Sequence, residues 1–153
     1  MRQLAAGFWY SLLFLSIFLA DRITKACALD ITSSIPITKY IFLELIFNRG
    51  VSWGMFHSSN DLTFLMVSIL IALIILGIGI YTVIRWMNNY NIVGEVMIIA
   101  GALSNMIDRI VYHGVIDFIL ISNGSWSFPV FNIADAAIVS GVFIMFIMSF
   151  NEV

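Results

Sequence analysis

Four apolar stretches, separated by polar connections of unequal length, set the pattern of this chain. They run from about Leu4 to Ala20, Leu62 to Ile84, Ile92 to Val111 and Asn132 to Phe150. Each is close to the ~20 residues that a helix needs to cross about 30 Å of hydrocarbon. The first continues into a more polar turn with Asp21, Arg22 and Lys25, which places its span at about 4–27. The second, 62–84, holds no charge and stops at Arg85. The third, 92–111, turns polar towards its end at Ser104, Asn105, Asp108 and Arg109. The fourth, 132–150, carries a single acid, Asp135, in its first turn.

The connections differ in kind. Residues 28–61 contain Thr32-Ser33-Ser34 and Pro36, then the run Tyr40-Ile41-Phe42-Leu43-Glu44-Leu45-Ile46-Phe47. That run is rich in β-formers and too short to span a bilayer, so it predicts one or two strands lying at the interface. Residues 86–91 form a tight polar link. Residues 112–131 hold Gly114, Asn123-Gly124-Ser125 and Pro129, which read as turns. An even number of spans puts both termini on one side and both long connections on the other. The expected fold is therefore an all-α membrane protein, a single domain over 1–153 with four transmembrane helices and a small β element. A cleavable leader is the competing reading of the N-terminus, with Ala26-Cys27 faintly like a lipoprotein cleavage site. Asp21, Arg22 and Lys25 stand where a small-residue cleavage region belongs, which favours a retained span.

Composition agrees with a bilayer as solvent. Of 153 residues, 61% are hydrophobic and 10% charged, and mean hydropathy is +1.04. Soluble domains carry about 25% charged residues. A net charge of −2 without a basic stripe gives no footing for nucleic acid. One cysteine, Cys27, excludes an intrachain disulfide. His57 and His113 stand apart, outside any zinc-binding spacing, so neither a metal nor another cofactor is expected. The charge bias that orients membrane proteins is unhelpful: Arg2 and Arg85 lie on the terminal side, whereas Arg22, Lys25, Lys39, Arg49 and Arg109 lie on the other. Several of these cations stand near carboxylates and are read as structural pairs.

Asp108, Asp117 and Asp135 are the candidate chemistry, because a carboxylate near hydrocarbon costs several kcal/mol unless paired, hydrated or protonated. Gly101, Asn105 and Asp108 share one helix face; helix packing accounts for the glycine and the amide as readily as a site does. A structural ion pair is the expected role of Arg109, and a basic partner that of Asp108. Asp117 sits in Val115-Ile116-Asp117-Phe118-Ile119, where poor solvation would raise its pKa. Asn132 and Asp135 approximate a capping box at the start of the fourth span, and the helix terminus would favour an ionised Asp135. Two acids whose environments push their pKa values apart are suited to acid/base hydrolysis, with Asp117 as resting acid and Asp135 as resting base. In Asn48-Arg49-Gly50-Val51-Ser52-Trp53-Gly54 the residues leave two readings open, a turn or a substrate-binding amide.

Five collinear segments resemble the lipoprotein signal peptidase (signal peptidase II) family of bacterial aspartic membrane peptidases. They are Asp21-Arg22-Ile23-Thr24-Lys25, Asn48-Arg49-Gly50-Val51-Ser52-Trp53, Gly101 through Arg109, Val115-Ile116-Asp117-Phe118-Ile119 and Phe131-Asn132-Ile133-Ala134-Asp135. The resemblance implies a catalytic pair of Asp117 and Asp135, and cleavage of prolipoproteins just before a diacylglyceryl-modified cysteine. It implies Asn48, Gly50, Asn105, Asp108, Arg109 and Asn132 lining or supporting the site, with Asp21 and Lys25 as braces. It also implies cytoplasmic termini, membrane lipids and lipidated substrates as partners, extracytoplasmic regions at about 28–61 and 112–131, and an interfacial β-cradle on that side formed by the run around residues 40–47. The chain departs from the family pattern at Ser104 and Ala100, where glycine is usual, and at Trp53, where phenylalanine is.

Other readings are a proton-coupled transporter or channel subunit, whose acids would line a path through the midplane, and a membrane adaptor using polar residues to join helices. The acids instead gather at span ends on one side. Asp108 with Asp135 is the alternative pair, disfavoured because a cation beside Asp108 would keep it ionised. A monomer is the simplest assembly, with only Gly77 and Gly79 hinting at a helix-pairing face.

Overall fold

The computed structural model describes residues 2–50 and 60–151. The segment Val51-Ser52-Trp53-Gly54 of the asparagine loop, and His57, lie outside the described residues. Among the described residues four helices form: α1 (Arg2–Ala28), α2 (Asp61–Met87), α3 (Val93–Tyr112) and α4 (Ile133–Asn151). Three are long and apolar enough to cross a membrane, α1 over Ala5–Ala28, α2 over its full length and α4 over Ile133–Phe150. α2 starts where the Asn60 side chain accepts from the Leu62 N–H at 2.8 Å. It runs through Trp86 and Met87, so the polar link is shorter than the sequence pattern suggests, and Asn89 turns it at φ 61°.

α3 is the central helix and packs against α1, α2 and α4. Its buried positions include Gly94, Glu95, Ile98, Ala100, Gly101, Ser104 and Asp108, a mixture of small, polar and apolar side chains. Side chains facing a neighbour need shape and polar satisfaction, whereas those facing lipid need only be apolar. The outer helices follow the second rule: Phe8, Trp9, Leu15, Met66, Leu73 and Phe143 are at least half exposed. Such a surface is stable in hydrocarbon and not in water.

Small residues bring α3 and α4 together. A Cβ on Gly94 would lie 2.6 Å from the Gly141 carbonyl oxygen, and one on Gly101 would lie 2.5 Å from that of Ala134. Such close backbone approach is the membrane solution to packing without a hydrophobic driving force.

The β element is larger than the sequence pattern indicates. Strands β1 (Ile35–Pro36), β2 (Ile41–Asn48), β3 (Val115–Asn123) and β4 (Trp126–Ser127) form one antiparallel sheet in that order. Residues 115–123, expected as connecting loop, are a nine-residue strand paired with β2. Register runs from Ile41 opposite Ile121 to Asn48 opposite Val115, with an irregularity between Leu43 and Ile46. The expected turn at Asn123-Gly124-Ser125 joins β3 to β4, with Gly124 at φ 59°, a conformation that favours glycine. Ala28, Ile116 and Phe118 form a small core where the end of α1 meets the sheet.

Candidate active site

Two acids arrive at one place from different elements. Asp117 lies on β3 opposite Ile46 of β2 and is 2% exposed. Asp135 lies in the first turn of α4. Asn132, just before α4, connects them. Its Nδ2 donates to Asp117 Oδ1 at 2.7 Å, and its backbone N–H donates to Asp135 Oδ2 at 3.3 Å. Its Oδ1 in turn accepts from the Asp135 N–H at 2.8 Å, which completes the expected capping box.

Two further amides occupy the remaining carboxylate oxygens. Asn48 Nδ2 donates to Asp117 Oδ2 at 2.9 Å, and Asn105 Nδ2 donates to Asp135 Oδ1 at 2.8 Å. Asn48 reaches Asp117 because β2 and β3 pair with Asn48 two residues from Ile46, on the same side of the strand. Its Oδ1 also accepts from the Gly50 N–H at 2.9 Å, closing a short side-chain turn. The turn reading of this segment is thus met at Asn48, whose amide nitrogen is engaged by Asp117.

Burial pushes the Asp117 carboxyl up to about 7, and the nearby Asp135 charge adds to the rise; the amides of Asn48 and Asn132 pull the other way. A carboxyl poised there holds its proton through mildly acidic conditions and exchanges it near neutrality. That is the behaviour required of a general acid.

The third acid is committed elsewhere. Asp108 Oδ1 is paired with Arg22, and its Oδ2 lies 2.7 Å from Lys25 Nζ and accepts from the Ile116 N–H at 3.3 Å. Asp108 and Lys25 are fully buried. The Asp108–Asp135 alternative therefore lacks a free partner. Asp21, also fully buried, takes Lys25 at 2.7 Å and Ser104 Oγ at 2.6 Å on one oxygen. Its other oxygen accepts from the Ala134 N–H at 2.8 Å, at the start of α4. The sequence signal for Ser104 is its place where glycine is usual.

Arg109 differs from expectation. Among the described residues it forms no ion pair. It donates through Nη2 to the Gly50 carbonyl, stacks over Phe64 at 5.4 Å, and leaves Nη1 buried without a hydrogen-bond partner. The carboxylate on its own helix, Asp108, is already taken by α1, and adjacent helical residues point apart. Arg109 also lines a cavity of about 590 Å³ between α2 and α3, with Arg49, Phe64, Leu65, Met106 and Ile110. Among the described residues no group of three or more His, Cys, Asp or Glu could hold a metal.

Comparison with known proteins meets this geometry from outside. The family model described as signal peptidase (SPase) II matches residues 13–151. The lipoprotein signal peptidase of Thermodesulfovibrio yellowstonii is 40% identical over 129 residues, covering 82% of this chain and 84% of that protein. That of Wigglesworthia glossinidia brevipalpis is 38% identical over 143 residues, covering 88% and 90%. A solved bacterial membrane enzyme superposes with a TM-score of 0.75 at 26% identity, covering 94% of this chain and 88% of that one. With two thirds of the chain and more covered at this identity, and helices and sheet superposing together, the chain belongs to the signal peptidase II family.

Proposed function

We propose that this chain is an aspartic endopeptidase that removes signal peptides from prolipoproteins, cutting just before the diacylglyceryl-modified cysteine. The observation that carries the reading is the bridging of Asp117 and Asp135 through Asn132, with Asp117 held near neutrality. The named relatives support the substrate class.

In this reading a water molecule sits between the two acids. Asp135 takes one of its protons as the oxygen attacks the scissile carbonyl carbon, and Asp117 gives its proton to the carbonyl oxygen. On collapse Asp135 passes its proton to the leaving amine, the C–N bond breaks, and Asp117 recovers a proton from the hydroxyl that becomes the new carboxyl. The pair ends with the same proton count, in a coupled titration that belongs to both groups. The free Nη1 of Arg109 and the spare N–H of Asn48 are donors for substrate carbonyls. No step calls for a metal or a cofactor.

The chain acts as one domain, with α3 as a fourth span sheltered by α1, α2 and α4. Both termini lie in the cytoplasm, and the sheet forms a cradle at the extracytoplasmic face beside membrane lipids. The contrary charge bias loses its force because Arg22, Lys25 and Arg49 are ion-paired to Asp108, Asp21 and Asp61. A monomer suffices, since both acids come from one chain.

The test uses purified protein in detergent with diacylglyceryl-modified and unmodified prolipoprotein. Cleavage of the modified substrate alone is expected, undiminished by a chelator and abolished by Asp117→Asn and by Asp135→Asn. Full activity in either variant would remove the pair, and equal cleavage of both substrates would remove the substrate assignment. A transporter reading predicts proton flux in vesicles and no cleavage.

A further inference from the structure

Lys25 is an ammonium with no exposed surface that takes no part in the hydrolysis. Its Nζ forms ion pairs with Asp21 Oδ2 at 2.7 Å and Asp108 Oδ2 at 2.7 Å, and donates a hydrogen bond to Asn105 Oδ1 at 2.6 Å. Charge balance explains the first two. The third joins the cation to an amide that touches Asp135.

An asparagine side chain fits its space almost equally well in two orientations, so hydrogen bonding selects one. With Asn105 Oδ1 on Lys25, its Nδ2 faces Asp135 at 2.8 Å. The flipped amide would set N–H against ammonium and oxygen against carboxylate, two repulsions in place of two bonds. Asn105 Oδ1 also accepts from Asn132 Nδ2 at 3.2 Å, the nitrogen that donates to Asp117. The oxygen of Asn132 is held by the Asp135 N–H, which leaves its NH₂ facing inward.

We propose that Lys25 is a positioning residue that fixes the amide of Asn105, and through it that of Asn132, so that each aims its NH₂ at one of the paired carboxylates. The proposal rests on Asp117 and Asp135 being the hydrolytic pair. Ser104 supports it from behind: its hydroxyl shares Asp21 Oδ2 with Lys25, holding that carboxylate with its other oxygen on the Ala134 N–H.

The experiment compares wild type, Asp21→Asn and the charge-balanced double variant Lys25→Met/Asp21→Asn in detergent. It measures kcat and KM on diacylglyceryl-modified substrate and records side-chain amide spectra with ¹⁵N-asparagine labelling. Asp21→Asn keeps the Lys25–Asn105 contact and is the reference against which the double variant is read. The double variant loses about 10- to 100-fold in kcat, the effect of one charge-assisted hydrogen bond, with KM changed less than about twofold. Its Asn105 amide protons lose the shift and slow exchange expected of wild type. A merely structural role would lower thermal stability and leave the kcat–KM split and the amide signature unmoved.

Equal kcat in the double and single variants, or an unchanged Asn105 signature, would overturn the proposal. Should the double variant not fold, Asn105→Asp keeps an oxygen for Lys25 while placing another against Asp135. Its kcat must fall by a similar factor, and full activity would sink the idea. If wild type cleaves nothing, the hydrolytic reading fails, while the amide spectra still decide whether Lys25 orients Asn105.

Discussion

Asn132 and Asp135 hydrogen-bond each other in both directions. The Asp135 N–H donates to Asn132 Oδ1 at 2.8 Å and the Asn132 N–H donates to Asp135 Oδ2 at 3.3 Å. A motif that starts a helix is here also the base of the site, because the free end of the same asparagine reaches Asp117. Starting α4 and orienting the two acids are one event. The site's geometry is thus as rigid as a helix cap.

Serine separates those two roles. Asn132→Ser keeps an oxygen for the Asp135 N–H but has no NH₂ for Asp117, so it should melt within a few degrees of wild type and lose about 10- to 100-fold in kcat. Asn132→Ala loses both and should also cost about 1 kcal/mol of stability. Thermal unfolding beside kinetics distinguishes the two; equal activity in Asn132→Ser and wild type would show that the amide is dispensable.

Asp117 gives the pH dependence its sign. With its carboxyl raised to about 7, the acid form is lost as pH rises, so kcat should fall along a basic limb centred near neutrality. Stability follows the same proton. Near the ordinary carboxyl pKa and below, native and unfolded chains both hold it. From there upward the unfolded chain gives it up first, so the stability it contributes falls steadily until pH passes about 7. Asp117→Asn has no such proton. The difference in melting temperature, variant minus wild type, should therefore become more positive between pH 5 and pH 8, and a flat difference would place the Asp117 pKa elsewhere.

Glu95 offers a contrast. It is 1% exposed and lies 2.6 Å from Arg85, near the start of α3, about 15 Å along the helix from Asn105 at 1.5 Å per residue. Glu95→Gln leaves Arg85 facing a neutral amide, so melting temperature should drop while kcat stays within about twofold. A large loss of kcat at unchanged stability would tie this end of the bundle to the chemistry.

What the sequence made legible follows from what is local. The apolar runs appear in the structure as helices because length and hydropathy are properties of single segments, and the Asn132–Asp135 cap was visible because its partners stand three residues apart. β3 was not visible. Its first four residues, Val115 to Phe118, are buried on both faces, which erases the alternation that marks a half-exposed strand, and β2 lies some 70 residues away. The partner of Arg109 is hidden for a related reason: its nearest carboxylate in sequence, Asp108, is paired with Arg22 and Lys25 of α1. The Asp21 contact with the Ala134 N–H spans 113 residues, a pairing that composition and periodicity do not encode.

Glycines make the last prediction, because the structure divides them into two kinds. A Cβ at Gly101 would meet the Ala134 carbonyl oxygen at 2.5 Å and Ile138 Cγ1 at 2.9 Å. Backbone cannot swing aside as a side chain does, so Gly101→Ala must push α3 from α4, one turn from where Asn105 meets Asp135. It should lower melting temperature and cut kcat together, since the displaced helices carry the amide and the acid. Gly77 and Gly79 on α2 have nothing within 4 Å of a built Cβ. Alanine at either should be neutral or add up to about 1 kcal/mol of helix stability. Leucine at both should leave the mass of the detergent-solubilised particle unchanged if the protein is a monomer. A shift in that mass would mark this face of α2 as a contact between copies, and normal activity in Gly101→Ala would show that α3 and α4 tolerate separation at the site.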